Sequence, residues 1–271
     1  MNNSDRWYSD FGEYSIDEWV RERILNNPDE LYRFQKIIDL IPEDAKTILD
    51  IGCGPGVFLH LLKKNRNIKE LGIEISDNKI AYANDVLQVK VQKGDAAELP
   101  FPDKAFDVVT ALEVLEHLPC GTYERALTEM ARVANTTIII SVPYNETRFF
   151  MTCPYCGTKF NPSYHLRSFN EIKLNDIFHG FKLAQVIKAG KTLVPKSPLS
   201  TLITKILLRN YEATEFVCPA CGFKKSPKKT KTNRYQPMKR SLHIYSFIKY
   251  MIKFMLFSHK PRWMIAVYNR N

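Results

Sequence analysis

The chain has 271 residues, with hydrophobic side chains at 45% and aromatic ones at 12%, enough apolar matter for a packed core, which excludes a generally disordered chain. Its formal charge of +10 comes from 39 Lys and Arg against 29 Asp and Glu and is concentrated between Lys182 and Arg270, with KKSPKKTKTNR at 224–234. This length suits one large α/β domain or a core domain with a small accessory module, and the basic half either attracts nucleic acid, anionic lipid or a phosphorylated substrate or forms a solvated loop.

In chain order, the opening MNNSDRWYSDFGEYS has no basic segment leading into an apolar stretch, so no export signal is expected. The six cysteines are accordingly expected to be thiols or metal ligands in a cytoplasmic setting rather than a disulfide framework. Residues 1–45 read as a helical segment rich in aromatics, in which Ser15 and Glu18 fit a capping box ahead of Trp19, Val20 and Ile24. A further helix is expected from Pro28 to Ile41. Strand and helix patterns then alternate, the mark of a parallel sheet. The expected strands are TILDIG (47–52), ELGIEIS (70–76), VKVQKGD (89–95), FDVVTALE (106–113), TIIISVP (137–143), FKLAQVIKA (181–189) and WMIAVYNR (263–270). Helical spacing marks VFLHLLKK (57–64) and YERALTEMARVA (123–134), and Leu174, Ile177 and Phe178 suggest another helix before the sixth strand.

The stretch ILDIGCGPGVF places Asp50, Gly52, Cys53, Gly54, Pro55 and Gly56 at a strand-to-helix turn. Glycines there let backbone approach a ligand, and a helix N-terminus offers N–H donors. Glu74 closes the second strand, where a carboxylate can accept from a ribose diol, and Asp95 closes the third, placed to accept from an adenine amino group. The loop reads GxGxG with an acid before it, not the GxGxxG of a dinucleotide fingerprint.

On the motifs ILDIGCGPG, GIEIS, KGDAAELPFPDKAFDVVTALEVLEHL and IIISVP, over residues 47–143, the chain resembles the class I S-adenosylmethionine-dependent methyltransferases, in particular the type 11 group. The resemblance implies a Rossmann-like α/β sheet of seven strands whose last strand, WMIAVYNR, is antiparallel. It implies further that Gly52 to Gly54 approach the methionine moiety, Glu74 holds the ribose hydroxyls, Ile75 packs on adenine, and Asp95 and Ala96 meet the adenine edge. Asp50, Cys53 and Glu113 complete the expected cofactor contacts.

EVLEH spaces Glu113, Glu116 and His117 to share one face if helical, a set able to hold Mg²⁺ or to order the loop after strand four. Ubiquinone-pathway O-methyltransferases resemble this stretch. His165, in SYHLRSF, suits a general base at neutral pH, or else anchors the next helix, with Ser168 as cap and Glu171 completing a capping box. His165, Glu116 and His117 are the catalytic candidates.

Two CPxCG knuckles, Cys153/Cys156 and Cys218/Cys221, have the spacing of a closed tetrahedral zinc site. Their separation follows from topology. Strand five ends just before Cys153, and the insertion between strands six and seven must leave and return at that same end. One structural Zn²⁺ would then clip both excursions over the sheet's ligand-binding face. Cys53 and Cys120 read as ordinary thiols.

The expected organisation is an N-terminal helical lid (1–45), the cofactor-binding core (46–192), a basic and apolar insertion with the second knuckle (193–260), and the final core strand (261–271). Within the insertion, SLHIYSFIKYMIKFMLF (241–257) is too short and charged to span a bilayer and reads as an interfacial helix or one packed on the core, with LSTLITKILLRN (199–210) its partner. The expected activity is methyl transfer to a hydroxyl of a small molecule: a sugar, a lipid-linked glycan or a related metabolite. Contact with the inner face of a membrane or another anionic surface through 224–257 is a further expectation. Methylation of RNA through the basic insertion is one alternative, although strand four lacks the (D/N)PPY signature of base amino methylation. A zinc-stabilised binding protein on a degenerate cofactor fold is the other.

Overall fold

The computed structural model describes residues 15–197, 200, 216–225 and 257–271. Helix α1 (Ile16–Val20) begins at Ser15, whose hydroxyl accepts from the Glu18 amide at 3.2 Å as the capping pattern anticipates, and continues as a π-helical turn through Arg21–Leu25. Helix α2 (Pro28–Asp39) has Pro at its first position, where no amide is needed, and the Asn27 side chain caps the amides of Asp29 and Glu30.

The core alternates β1 (Thr47–Ile51), α3 (Val57–Asn65), β2 (Lys69–Glu74), α4 (Asp77–Ala81), β3 (Val91–Lys93), β4 (Phe106–Leu112), α5 (Thr122–Val133) and β5 (Ala134–Pro143). Two short strands, β6 (Met151–Thr152) and β7 (Lys159–Phe160), follow, then α6 (Glu171–Leu174) and β8 (Phe181–Ala189). The insertion contributes β9 (Thr192–Pro195), β10 (Phe216–Val217), β11 (Lys224–Lys225) and β12 (Phe257–Lys260), before β13 (Trp263–Arg270) ends the sheet.

Seven strands lie in the order β3-β2-β1-β4-β5-β13-β8. The pairs among β1 to β5 are parallel, while β13 runs antiparallel to both β5 and β8. Trp263, the first residue of β13, lies opposite Pro143 at the end of β5 and Ala189 at the end of β8, so all three strands meet at one edge of the sheet. Period-2 alternation divides the core between its two faces. Leu49, Val109, Ile138 and Ile140 pack toward Met130 of α5 and Phe178; Ile48, Val108, Ile139 and Ile265 pack toward Ile37 of α2 and Leu59 and Leu62 of α3. Each fully buried aliphatic side chain contributes about 1.5–3 kcal/mol relative to exposure.

Three local expectations are corrected. EVLEH is not helical: Glu113 has φ of 60° and residues 115–117 form a turn, so the three side chains do not share a helical face. The helix expected around Leu174–Phe178 is the four-residue α6; Asp176, at φ of 54°, turns the chain, while the Tyr268 hydroxyl donates to the Leu174 carbonyl and Phe178 sits in the core. Its cap is Asn170, accepting from the Lys173 amide, and not Ser168.

The segments 199–210 and 241–256, and the basic run beyond Lys225, lie outside the described residues apart from Ser200. Among the described residues no helix is long and apolar enough to cross a membrane. The insertion is closed at its root by β9 and β12, an antiparallel ribbon with no counterpart in the expected elements.

Candidate functional site

The glycine loop follows β1 and packs beside the end of β2. Its amides are largely spent inside the protein: Gly52 and Cys53 donate to the Ile73 carbonyl, Gly56 to the Cys53 carbonyl, and Gly54 to the Glu74 carboxylate at 2.9 Å. What the loop presents is bare backbone. A Cβ on Gly54 would have no atom within 4 Å, whereas one on Gly52 would stand 2.6 Å from a Val114 methyl. Both residues have positive φ, 65° and 58°, which glycine adopts without strain. Gly52 is thus set by the loop after β4, and Gly54 faces open space.

Glu74 is 6% exposed. One carboxylate oxygen takes the Gly54 amide; the other takes those of Ile75 and Ser76, at 2.8 and 3.0 Å. Three amide donors fix it as a rigid acceptor at the end of β2. Ile75 next to it is 42% exposed, an uncovered apolar surface beside a pinned carboxylate. Asp95 is exposed and accepts from the Ala97 amide, and Ala96 is half-buried beside it. Asp50 is buried beneath the loop and accepts from the Thr110 hydroxyl at 2.6 Å; burial raises its pKa to about 7, against the hydrogen bond and the Arg33 charge. The Cys53 sulfur lies 2.5 Å from where a Gly72 Cβ would be, and burial pushes its thiol well up, so it is a packing group.

Glu113 is not part of the group that the other two members of EVLEH form with His165. Its oxygens accept from the Ser141 hydroxyl (3.1 Å) and Trp263 Nε1 (2.9 Å). Buried Arg33 of α2 donates to the same Ser141 hydroxyl oxygen at 3.0 Å and lies 5.0 Å from the Trp263 ring centroid. Glu113 therefore ties α2 to the sheet edge where β5 and β13 meet. The two-carboxylate Mg²⁺ set read from the sequence does not form.

Glu116, His117 and His165 do come together: each offers one ligand atom, and those atoms lie within 4.8 Å of one another. The two imidazoles meet edge to face, with ring centroids 4.8 Å apart. His165 Nδ1 is 2.5 Å from Glu146 Oε2, and His117 Nδ1 is 3.3 Å from the Tyr164 carbonyl. Burial pushes His117 down to about 3, helped by the His165 charge, so its ring is neutral at neutral pH. Glu116 is fully buried with neither oxygen hydrogen-bonded among the described residues, and burial, reinforced by Glu113, raises its pKa far above the carboxylate range. Glu146 was not anticipated: it falls between IIISVP and the first knuckle, in neither motif, and is brought to His165 by the excursion after β5.

The four knuckle cysteines also converge. Cys153 and Cys221 sulfurs are 3.8 Å apart, Cys156 and Cys218 sulfurs 3.6 Å, and all four lie within 4.8 Å of one another. A tetrahedral Zn²⁺ with Zn–S bonds of about 2.3 Å has S···S edges of about 3.8 Å, while a disulfide needs about 2.0 Å, so the spacing suits thiolates around an ion. The knuckles are built alike. Gly157 and Gly222, both at φ of 73°, donate their amides to the carbonyls of Cys153 and Cys218. The hairpins β6–β7 and β10–β11 carry them, with Phe160 and Phe216 packed between. Hydrogen bonds with Thr158 pull Cys156 down to about 6, while Cys218 and Cys221 beside it are held above the ordinary thiol value.

The cluster and the knuckles are linked. The Leu166 amide donates to the Glu116 carbonyl at 2.7 Å, and Arg167 donates to the carbonyls of Leu115 and Leu118. Tyr164, at φ of 56°, donates its hydroxyl to the Val217 carbonyl, next to Cys218.

The core of this chain has the fold of solved S-adenosylmethionine-dependent methyltransferases, and a methyltransferase-domain match lies within it. Residues 48–137 match the family model described as a methyltransferase domain. Among curated relatives, ajmaline N-methyltransferase of Rauvolfia serpentina is 32% identical over 154 residues, 51% of this chain and 52% of that protein. The 27-O-demethylrifamycin SV methyltransferase of Amycolatopsis mediterranei is 40% identical over 79 residues, 27% of this chain and 29% of that protein. The chain thus aligns with about half or less of the length of these relatives. A solved S-adenosylmethionine-dependent methyltransferase from Archaeoglobus fulgidus shares the fold at a TM-score of 0.53 and 18% identity, over 94% of this chain and all of that one.

Proposed function

We propose that this protein transfers a methyl group from S-adenosylmethionine to a hydroxyl of a small molecule, in the class of sugars, lipid-linked glycans or related metabolites. The observation that carries the reading is the Glu74 carboxylate, pinned by three amides beside exposed Ile75 and the open backbone at Gly54. That arrangement fits a nucleoside: Glu74 takes the ribose diol, Ile75 covers the base, Asp95 and Ala96 meet its edge, and Gly52 to Gly54 leave room for the methionine end. When bound, the cofactor supplies an electrophilic methyl carbon on a sulfonium, to which the acceptor oxygen bonds as the C–S pair returns to sulfur. The protein's own work is positioning and proton removal. The acceptor's proton is handled at Glu116, His117 and His165, on the loops that follow β4 and β5 at the mouth of the sheet.

The four cysteines would hold one structural Zn²⁺, with no coordination position left for substrate. The zinc module and the rest of the insertion would form the acceptor-selecting part, and residues 15–45 would cover the core as a lid. The Amycolatopsis relative is named for methylation at an oxygen and the Rauvolfia one for methylation at a nitrogen; the histidine cluster favours oxygen, since an alcohol needs a proton acceptor. Membrane or RNA contact through 224–257 would rest on charge and apolar pattern alone.

The test is transfer of isotope-labelled methyl from S-adenosylmethionine into fractionated cell extract. Label in lipid or soluble metabolites, released as an O-methyl ether, is the expected result. Label confined to RNA or protein, or no transfer despite cofactor binding, would overturn it.

A further inference from the structure

We infer that Glu116, His117 and His165 form a second metal site, distinct from the cysteine cluster, which takes a divalent first-row transition ion and presents it to the acceptor hydroxyl. The inference rests on the methyltransferase reading for the acceptor, but the ion site itself stands on three observations.

The first is convergence: one carboxylate and two imidazoles, from the turn after β4 and the excursion after β5, bring their ligand atoms within 4.8 Å of one another. The second is Glu116. A fully buried carboxyl group with neither oxygen hydrogen-bonded is costly unless something pairs with it. A cation at the cluster pairs with it directly. The third is the arrangement behind the rings. His165 Nδ1 meets the Glu146 carboxylate and His117 Nδ1 meets the Tyr164 carbonyl. A ring whose Nδ1–H is donated this way carries its lone pair on Nε2, and carboxylate or carbonyl partners of that kind are what orient metal-ligating histidines.

The donor set decides the ion. Two imidazoles with one carboxylate suit Zn²⁺, Fe²⁺ or Co²⁺, whereas Mg²⁺ prefers carboxylates, phosphates and water. Three protein ligands leave a position open, and a hydroxyl bound there loses its proton to solvent far more readily than in water. Glu113, engaged by Ser141 and Trp263, takes no part.

The test is a Co²⁺ titration of the full chain, followed by absorption spectroscopy and metal analysis. An ion on four thiolates shows sulfur-to-cobalt charge transfer; an ion on nitrogen and oxygen does not. Wild type is expected to bind a second Co²⁺ without a charge-transfer signature. Glu116→Gln and His165→Ala should lose that ion while S-adenosylmethionine affinity is kept, which also reports folding. Glu146→Gln should weaken the second ion about 10–100-fold. Cys218→Ser should lose the thiolate signature and keep the second ion. A wild type with no ion beyond the thiolate site, or equal binding in wild type and His165→Ala, overturns the inference and leaves His165 as a direct base. An ion that binds without any affinity for S-adenosylmethionine supports the site and sinks the methyltransferase reading instead.

Discussion

Glu74 has a structural role in the loop and a proposed one toward the cofactor. It holds the Gly54 amide and so the shape of the glycine loop, and on the proposed reading it also offers the ribose an acceptor. Glu74→Ala is expected to cost S-adenosylmethionine about 1.5–3 kcal/mol of binding, the range for hydrogen bonds to a charged group. Calorimetry on both proteins decides it; equal affinities would remove this carboxylate from the cofactor site. Asp50 gives a second handle, through pH. Its folded pKa is raised from 3.8 to about 7, chiefly by burial, so the folded state holds a proton that the unfolded chain releases near 3.8. Its contribution to stability is therefore full below 3.8 and is lost as pH rises toward about 7. Chemical denaturation across that window should show Asp50→Asn gaining on wild type as pH rises; parallel curves would contradict it. Glu74 and the glycines were legible in the sequence because strand ends and loop spacing place them. Glu113 was not, because its partners Ser141 and Trp263 come from β5 and β13, and a positive φ at Glu113 breaks the helical spacing that the sequence suggested.

Among the elements, the knuckle hairpins are the most testable. Only two residues long on each side, β6–β7 and β10–β11 have too little sheet to persist alone and lean on Phe160, Phe216 and the cysteine cluster. Cys218→Ser is expected to lower bound zinc and to speed proteolysis within 193–260, with S-adenosylmethionine binding largely kept. Unchanged zinc stoichiometry with an equally resistant insertion would show that the knuckles do not share an ion. The cysteine spacing announced these hairpins, yet their strands were invisible, since two-residue strands carry no periodicity. The β9–β12 ribbon escaped for a different reason: its halves lie more than sixty residues apart in sequence and pair only because both leave the same edge of the sheet. The overlong helix expected around Leu174 shows the opposite failure. Apolar spacing marked buried positions correctly, but Phe178 reaches the core from beyond a turn.

At the scale of the whole molecule, the seven sheet strands were readable from the alternation of strand and helix patterns, and the resemblance implied the antiparallel last one; their order came only with the structure. The loops that follow β4 and β5 were not readable, because each is fixed by contacts between segments far apart in sequence. The two halves should respond differently to ligand. A cofactor that binds only the folded core adds about 2.7 kcal/mol at a hundredfold excess over its Kd. Thermal unfolding with S-adenosylmethionine should therefore shift the core's transition upward in wild type and in Cys218→Ser alike. A shift in wild type only would mean that cofactor site and cysteine cluster form one cooperative unit.

Tyr164 bears on how such a protein can diversify. Its carbonyl holds the His117 ring, and its hydroxyl holds the Val217 carbonyl beside Cys218. The insertion, which on the proposed reading selects the acceptor, is thus not an interchangeable cassette: whatever replaces it must also supply a grip for Tyr164. A chimaera carrying a foreign segment in place of 193–260 is expected to bind cofactor normally yet transfer methyl poorly, even to the donor protein's own acceptor, until a hydrogen-bond partner for Tyr164 is restored. New acceptor ranges in this lineage would then arise by gradual change within the insertion more readily than by wholesale exchange of it.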